Sequence, residues 1–229
     1  MKIVYACDEN FIKYLSISAQ TVLWYNPKAE IIVITNEPIK TIYKNIVYVP
    51  SKEFTQQLRY NENDRITELS YYKLLLPEIL SSDDKIIYID CDTMIQKPLD
   101  DIWNMNCDYI NVTEHYLPFK YPNNNKHALM GFMLMNLKAL REDNFKEKCL
   151  KNMDYKQDFW YHEEGLINLN YQDKLTYIDK KYHYCKGRQY NNPIKEDDAY
   201  ILHFPSTTKR FMFQMFSDQK EQRKRKGLI

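Results

Sequence analysis

The sequence predicts an α/β fold with a mixed, mainly parallel sheet flanked by helices, and three observations carry that prediction. Short apolar runs rich in β-branched residues recur at Ile3–Ala6, Glu30–Thr35, Ile46–Val49 and Ile86–Ile89, the pattern of strands buried on both faces. A stretch with helical spacing separates the first two, so the chain alternates between strand and helix. The run ending at Ile89 stops abruptly at two carboxylates, Asp90 and Asp92, where ligands of open α/β sheets lie.

Taken in order, Ile3–Ala6 is the first strand, followed by Cys7-Asp8-Glu9-Asn10. Phe11, Leu15, Ser18, Ala19 and Val22 mark a helix that Asn26-Pro27 closes, and Asp8 or Asn10 would serve as its N-cap. The polar stretch Ser51–Asp64 reads as loop or irregular helix. Glu68–Leu80 reads as a helix with Leu69, Tyr72, Leu76 and Leu80 on one face, kinked or shortened late by Pro77. A short helix is expected at Pro98–Trp103 and a strand at Tyr109–Val112. Glu114–Lys126, rich in Pro, Asn and aromatics, reads as a long surface loop that carries specificity or a lid.

Leu129–Met135 is an apolar strand interrupted by Gly131, a position that calls for a bulge or a close approach of a ligand. An amphipathic helix is expected over Leu137–Asn152, a short helix over Glu163–Asn170, and strands over Leu175–Ile178 and Ala199–Phe204, the last carrying His203 near its end. There is no linker composition, so residues 1–215 are expected to form one domain and 216–229 a basic tail containing Arg223-Lys-Arg-Lys226.

The 229 residues are 44% hydrophobic, enough for a substantial core, and the net charge of +1 does not point to nucleic acid. The five cysteines, an odd number without a C-x-x-C pair, fit reduced thiols better than a disulfide framework or a zinc site. The N-terminus lacks the apolar core of a signal peptide, and no stretch is long enough to span a bilayer. A cytoplasmic protein is therefore expected.

Asp90 and Asp92 repel one another unless a cation lies between them, and hard divalent ions take carboxylate oxygens. The plainer reading is a turn, since Asp favours turns and Pro98 closes the segment. Either reading leaves the function open until further motifs are added.

Five blocks together resemble glycosyltransferase family 8, over nearly the whole chain from Val4 to about Phe211. They are Ala6-Cys-Asp8-Glu-Asn10, Tyr71-Tyr-Lys-Leu-Leu-Leu-Pro-Glu-Ile-Leu80, Ile87-Tyr-Ile-Asp-Cys-Asp92, Gly131-Phe-Met-Leu-Met-Asn-Leu137 and His203-Phe-Pro-Ser-Thr-Thr-Lys209-Arg-Phe211. The resemblance implies a GT-A fold and a retaining enzyme that uses a nucleotide sugar. It implies that Ala6, Cys7 and Asp8 read a uridine base, that Asn10 reaches the ribose, and that Asp90, Asp92 and His203 hold Mn²⁺ or Mg²⁺. Imidazole beside two carboxylates favours Mn²⁺. Lys209 and the metal would neutralise the diphosphate, whose departure leaves negative charge to be stabilised.

Cys91 and Gly131 fall within the implied donor site, as does Lys73, where the family commonly has arginine. Lys73 would contact the Asp-Cys-Asp turn or the donor as a point charge, unless it is a solvated helix residue. Glu163 and Glu164 stand where the family carries Asp-Gln. They would steady an oxocarbenium-like sugar or act as a base, or else are first-turn acids favoured by the helix dipole. A base in line with the donor would invert the anomeric centre, whereas the family retains it. Leu129 replaces an Asn, and Ser206 replaces a glycine near the implied phosphate.

The expectation is transfer of a hexose, glucose or galactose, from a UDP-sugar to a glycan or lipid-linked glycan hydroxyl. A glycogenin-like self-glucosylating protein and a non-catalytic nucleotide-sugar binding module are the alternatives. A sugar nucleotidyltransferase would need a Gly-rich phosphate loop that this N-terminus lacks. The basic tail, with Phe211-Met-Phe-Gln-Met-Phe216 before it, would dock on an anionic lipid surface or be simply solvated.

Overall fold

The computed structural model describes residues 1–49, 68–115, 127–151, 162–187 and 194–229. Within them the strands are β1 (Lys2–Ala6), β2 (Glu30–Thr35), β3 (Asn45–Tyr48), β4 (Lys85–Ile89), β5 (Thr93–Ile95), β6 (Ile110–His115), β7 (His127–Asn136), β8 (Leu175–Ile178), β9 (Tyr184–Cys185) and β10 (Ile201–His203). Seven form the main sheet in the order β3-β2-β1-β4-β7-β6-β8, and β5-β10-β9 form a second, small sheet. Strands β1 to β4 run parallel, β8 runs parallel to β6, and β7 is antiparallel to both its neighbours. The sheet is thus mixed and mainly parallel, as the β-branched runs predict.

Alternation explains why the central strands β1, β2 and β4 are apolar throughout, whereas β3, expected to be buried on both faces, is an edge strand with Ile46 40% and Tyr48 55% exposed. Val4, Ile32, Ile34, Ile86 and Tyr88 join one core cluster, with Leu69, Leu76, Leu137, Leu140, Phe145, Leu166 and Ile167 from the helical segments. Ile3, Tyr5, Ile31, Val33, Ile87 and Ile89 join the opposite cluster, with Leu15, Ala19 and Val22 from the helix Ile12–Tyr25. A strand covered on both faces has no position where a polar side chain meets water, and each fully buried Leu or Ile contributes about 1.5–3 kcal/mol.

Strand order reverses direction at β1, which has β2 on one side and β4 on the other. The carboxyl ends of β1 and β4 therefore open side by side at the point where such sheets bind ligands. A chain of buried hydroxyls fixes the turn after β4. Tyr5 Oη and Ser18 Oγ are 2.9 Å apart, Ser18 Oγ and Thr93 Oγ1 2.9 Å, and the Thr93 hydroxyl donates to the Asp90 carbonyl at 2.9 Å.

Several expectations need correction. Glu68–Leu80 is not one helix broken by Pro77: Glu68–Leu74 is 3₁₀, and a short α-turn Leu76–Ile79 begins with Pro77 in its first turn. There the missing proline N–H costs nothing, because first-turn N–H groups have no intrahelical partner. The helix expected over Leu137–Asn152 is two, Leu137–Glu142 and Phe145–Leu150, divided at Asn144 with φ 53°. The strand around His203 joins the small sheet rather than the main one. The last helix spans Lys209–Arg225. The expected loop Ser51–Asp64 and residues 116–126 of the loop expected over Glu114–Lys126 lie outside the described residues, while Glu114 and His115 are the end of β6 and not loop.

Asn144 adopts the left-handed conformation without a side-chain capping bond, so the backbone angle is its constraint. Asn144→Ala should lower the unfolding free energy by about 1–2 kcal/mol while Asn144→Gly does not, as measured by urea denaturation monitored by circular dichroism.

Candidate functional site

The two carboxylates after β4 are met by cations from three directions. His203, delivered by β10, places Nε2 3.1 Å from Asp92 Oδ1 and 3.8 Å from Asp90 Oδ2. Lys209, at the start of the last helix, places Nζ 2.8 Å from Asp92 Oδ2. Lys73, in the 3₁₀ segment, is buried with Nζ 3.1 Å from Asp90 Oδ1 and 2.9 Å from Glu163 Oε1. Tyr88 donates its hydroxyl to Asp90 Oδ1 at 2.8 Å.

Burial works against the charges of Asp92, His203 and Lys73, and the partners overcome it. Burial raises the Asp92 carboxyl, but His203 and Lys209 beside it hold it well below the usual carboxylate range. Burial likewise works against the His203 imidazolium, yet Asp92 holds it well above the ordinary histidine value. Desolvation opposes a charged Lys73, and Asp90 and Glu163 together more than offset it.

Gly131, in β7, explains why an imidazole fits here. A Cβ at this position would lie 2.4 Å from His203 Cε1, 2.6 Å from its Nδ1 and 3.1 Å from Asp90 Oδ2. Its carbonyl accepts the Asp90 N–H at 2.9 Å, so the glycine both registers the turn and clears room above it. The close approach expected of Gly131 is made by a protein side chain, His203.

The ligand atoms of Asp90, Asp92 and His203 all lie within 4.8 Å of one another. Two hard carboxylate oxygens and one imidazole nitrogen form a donor set suited to Mn²⁺ and open to Mg²⁺, so the residues fit a divalent cation.

Of the remaining expected residues, Cys91 joins the carboxylate turn directly, and the others make local contacts of their own. Cys91 donates its thiol to the Ala6 carbonyl at 3.3 Å, which ties the carboxylate turn to the end of β1. The Cys7 N–H donates to the Ile34 carbonyl at 2.9 Å and so is not spare for a base. Asp8 is buried and accepts the Phe11 N–H at 3.0 Å, capping the 3₁₀ turn that carries exposed Asn10. Burial raises the Asp8 carboxyl against that bond. Ser206 is exposed, with φ 54°, in the turn between β10 and Lys209.

Lys73 is no solvated helix residue, and Glu163 and Glu164 are more than dipole-favoured acids. Glu163 pairs with Lys73, while Glu164 accepts from His127 Nε2 at 2.7 Å and from the Met130 N–H at 3.1 Å. Both Glu164 oxygens are thereby engaged; burial would raise its carboxyl, but the His127 bond holds it low.

Four participants escaped the sequence reading: Tyr88 and His127, His183 with Nε2 3.1 Å from His203 Nδ1, and Thr113 with Oγ1 3.2 Å from His183 Nδ1. Alternation could have found Tyr88, two residues before Asp90 on one strand face. His183 precedes a two-residue strand, too short to show a period.

The family model of glycosyl transferase family 8 matches residues 2–210. The chain is 24% identical to general stress protein A of Bacillus subtilis over 169 residues, 62% of this chain and 59% of that one. It is 18% identical to the glycosyltransferase GlyB of Streptococcus pneumoniae serotype 4 over 197 residues, 81% of this chain and 48% of that one. The crystal structure of the galactosyltransferase LgtC with donor and acceptor sugar analogs matches with a TM-score of 0.75 at 17% identity, over 95% of this chain and 96% of that one. That likeness shows the fold, GT-A. The chain spans less than two thirds of the length of the curated relatives it matches.

Removing one partner from a buried ion network leaves the others uncompensated. Lys73→Met should therefore cost about 3–5 kcal/mol in a denaturant titration. Lys148→Ala, at the more exposed Lys148–Asp143 pair, should cost about 0–1 kcal/mol. Gly131→Ala should displace the His203 ring, which a crystal structure of the variant would show directly.

Proposed function

The chain belongs to glycosyl transferase family 8, and from that premise we propose that it is a metal-dependent hexosyltransferase. It moves glucose or galactose from a UDP-sugar to a hydroxyl on a glycan or lipid-linked glycan, with retention at the anomeric carbon. The observation that carries this reading is the convergence of Asp90, Asp92 and His203 with Lys209 at the carboxyl end of β4.

In this reading Asp90, Asp92 and His203 hold Mn²⁺, or Mg²⁺ in its place. The bound cation supplies a Lewis acid at the departing diphosphate. Lys209 exchanges part of its contact with Asp92 for a phosphate oxygen and so offsets charge that grows as the sugar–phosphate bond breaks. Asp8, with the Ala6, Cys7 and Cys91 backbone, lines the uridine end, and Asn10 serves the ribose. Gly131 leaves the room that His203 takes beside the carboxylates, and Ser206 keeps its backbone close to the donor.

Lys73 holds Asp90 and Glu163 in one geometry, and Glu163 is the carboxylate that steadies the oxocarbenium-like sugar. The engagement of both Glu164 oxygens leaves Glu164 none free to take the acceptor proton. Glu164 then positions the strand and helix around the sugar.

Among the described residues no helix is long and apolar enough to cross a membrane. The last helix exposes Phe211 and Phe213 and ends in Arg223, Lys224 and Arg225, which supports peripheral contact with an anionic lipid surface. The five cysteines, all buried free thiols, support a reducing cytoplasmic setting.

UDP release from a panel of UDP-sugars with Mn²⁺ tests the reading. The wild type should release UDP from one donor, EDTA should stop release and added Mn²⁺ restore it, and Asp92→Asn should slow release by about 100-fold or more. Calorimetric binding of the donors without release under any condition would identify a binding module. No binding at all would overturn the proposal.

A further inference from the structure

His203 does not stand alone behind the carboxylates. Its Nδ1 lies 3.1 Å from His183 Nε2, and His183 Nδ1 lies 3.2 Å from Thr113 Oγ1. Thr113 is 1% exposed and His183 3%, so water does not substitute for these partners. The two rings are 21° from parallel with centroids 5.2 Å apart, and Phe132 packs against His183 at 5.8 Å.

The chemistry of this line has one consistent protonation pattern once His203 binds a cation. A metal-ligating imidazole presents a bare nitrogen, and Nε2 is the atom that faces Asp90 and Asp92. The proton then sits on His203 Nδ1 and needs an acceptor; the Cys185 side chain also bonds the His203 ring, but a neutral imidazole nitrogen is a much stronger acceptor than a thiol sulfur. His183 Nε2 can accept it only if His183 carries its own proton on Nδ1, where the Thr113 hydroxyl oxygen receives it. The partner of a ligating histidine's second nitrogen fixes its tautomer and ring orientation and strengthens it as a ligand.

We propose that His183, oriented by Thr113 from β6, is the positioning residue that fixes the metal-binding tautomer of His203. It rests on the metal reading above and adds to it a residue outside the ligand set. It also gives the three-residue encounter of β6, β9 and β10 a purpose: β6 supplies Thr113, the segment entering β9 supplies His183, and β10 supplies His203.

Mn²⁺ alone, titrated into the full chain and followed by the electron paramagnetic resonance of the free ion, tests this. His183→Phe, which keeps a ring but offers no acceptor, should weaken Mn²⁺ binding by roughly 10–100-fold. His183→Gln, whose amide oxygen can take the same proton, should restore most of it, and Thr113→Val should weaken binding less than His183→Phe does. Metal-free thermal unfolding of the Gln variant should stay close to the wild type, which separates positioning from folding, while the Val variant should unfold at a lower temperature because it leaves the buried His183 Nδ1–H without its acceptor.

Wild-type affinity in the Phe variant would overturn the positioning role and leave the metal reading intact. A Gln variant as weak as Phe would overturn the proton-acceptor basis. A wild type that takes up no Mn²⁺ would overturn both.

Discussion

Two like charges held side by side, Asp92 buried and Asp90 half-buried, are the constraint from which the architecture of the site follows. At about 4 Å they repel by about 4 kcal/mol even at an effective dielectric near 20, and the Asp90 and Asp92 ligand oxygens lie within 4.8 Å. Each needs its own cation, and no single element can supply them. Lys73 comes from the 3₁₀ segment before β4, His203 from the small sheet and Lys209 from the last helix. The second sheet exists where it does because β5 leaves the acid turn and pairs Thr93 with His203. Gly131 is the complement of that pairing, the one place on β7 where the imidazole finds no Cβ in its way.

The main sheet was legible because a strand buried on both faces must be apolar at every position, and Ile86–Ile89 or Ile31–Ile34 cannot be mistaken for half-solvated strands. What was not legible lay where local pattern and tertiary contact disagree. Leu69, Tyr72, Leu76 and Leu80 fit a helical stripe, yet the backbone tightens to 3₁₀ so that Lys73 can enter the core beside them. Leu137 to Asn152 keeps helical spacing through Asn144, and only the left-handed angle there shows that the two halves turn apart. Strands of two or three residues, such as Tyr184–Cys185, carry no period at all.

The site divided along a similar line. Asp90 and Asp92 were visible from chemistry alone, because paired acids after a buried strand demand an explanation. The convergence of His203 and Lys209 on them could be inferred only through resemblance, since nothing in spacing connects residue 92 with residue 203. Lys73, read as either solvated or functional, is wholly internal; its aliphatic stem runs among apolar neighbours and its head closes the network with Glu163. His183 and His127 went unnoticed because a lone histidine has no pattern, and their significance lies entirely in what stands 3 Å away.

The separation of 111 residues between Asp92 and His203 has a consequence in time as well as in space. A chain made from its N-terminus at about 5–20 residues per second exposes β1 to β4 on the order of ten seconds before His203 and Lys209 exist. During that interval β1 to β4, and then β7, can already pair, while the acid pair lacks two of its three cations. The ribosome therefore releases the structural frame first and the charged centre last, and a prematurely ended chain would own a sheet with nothing to do at its edge.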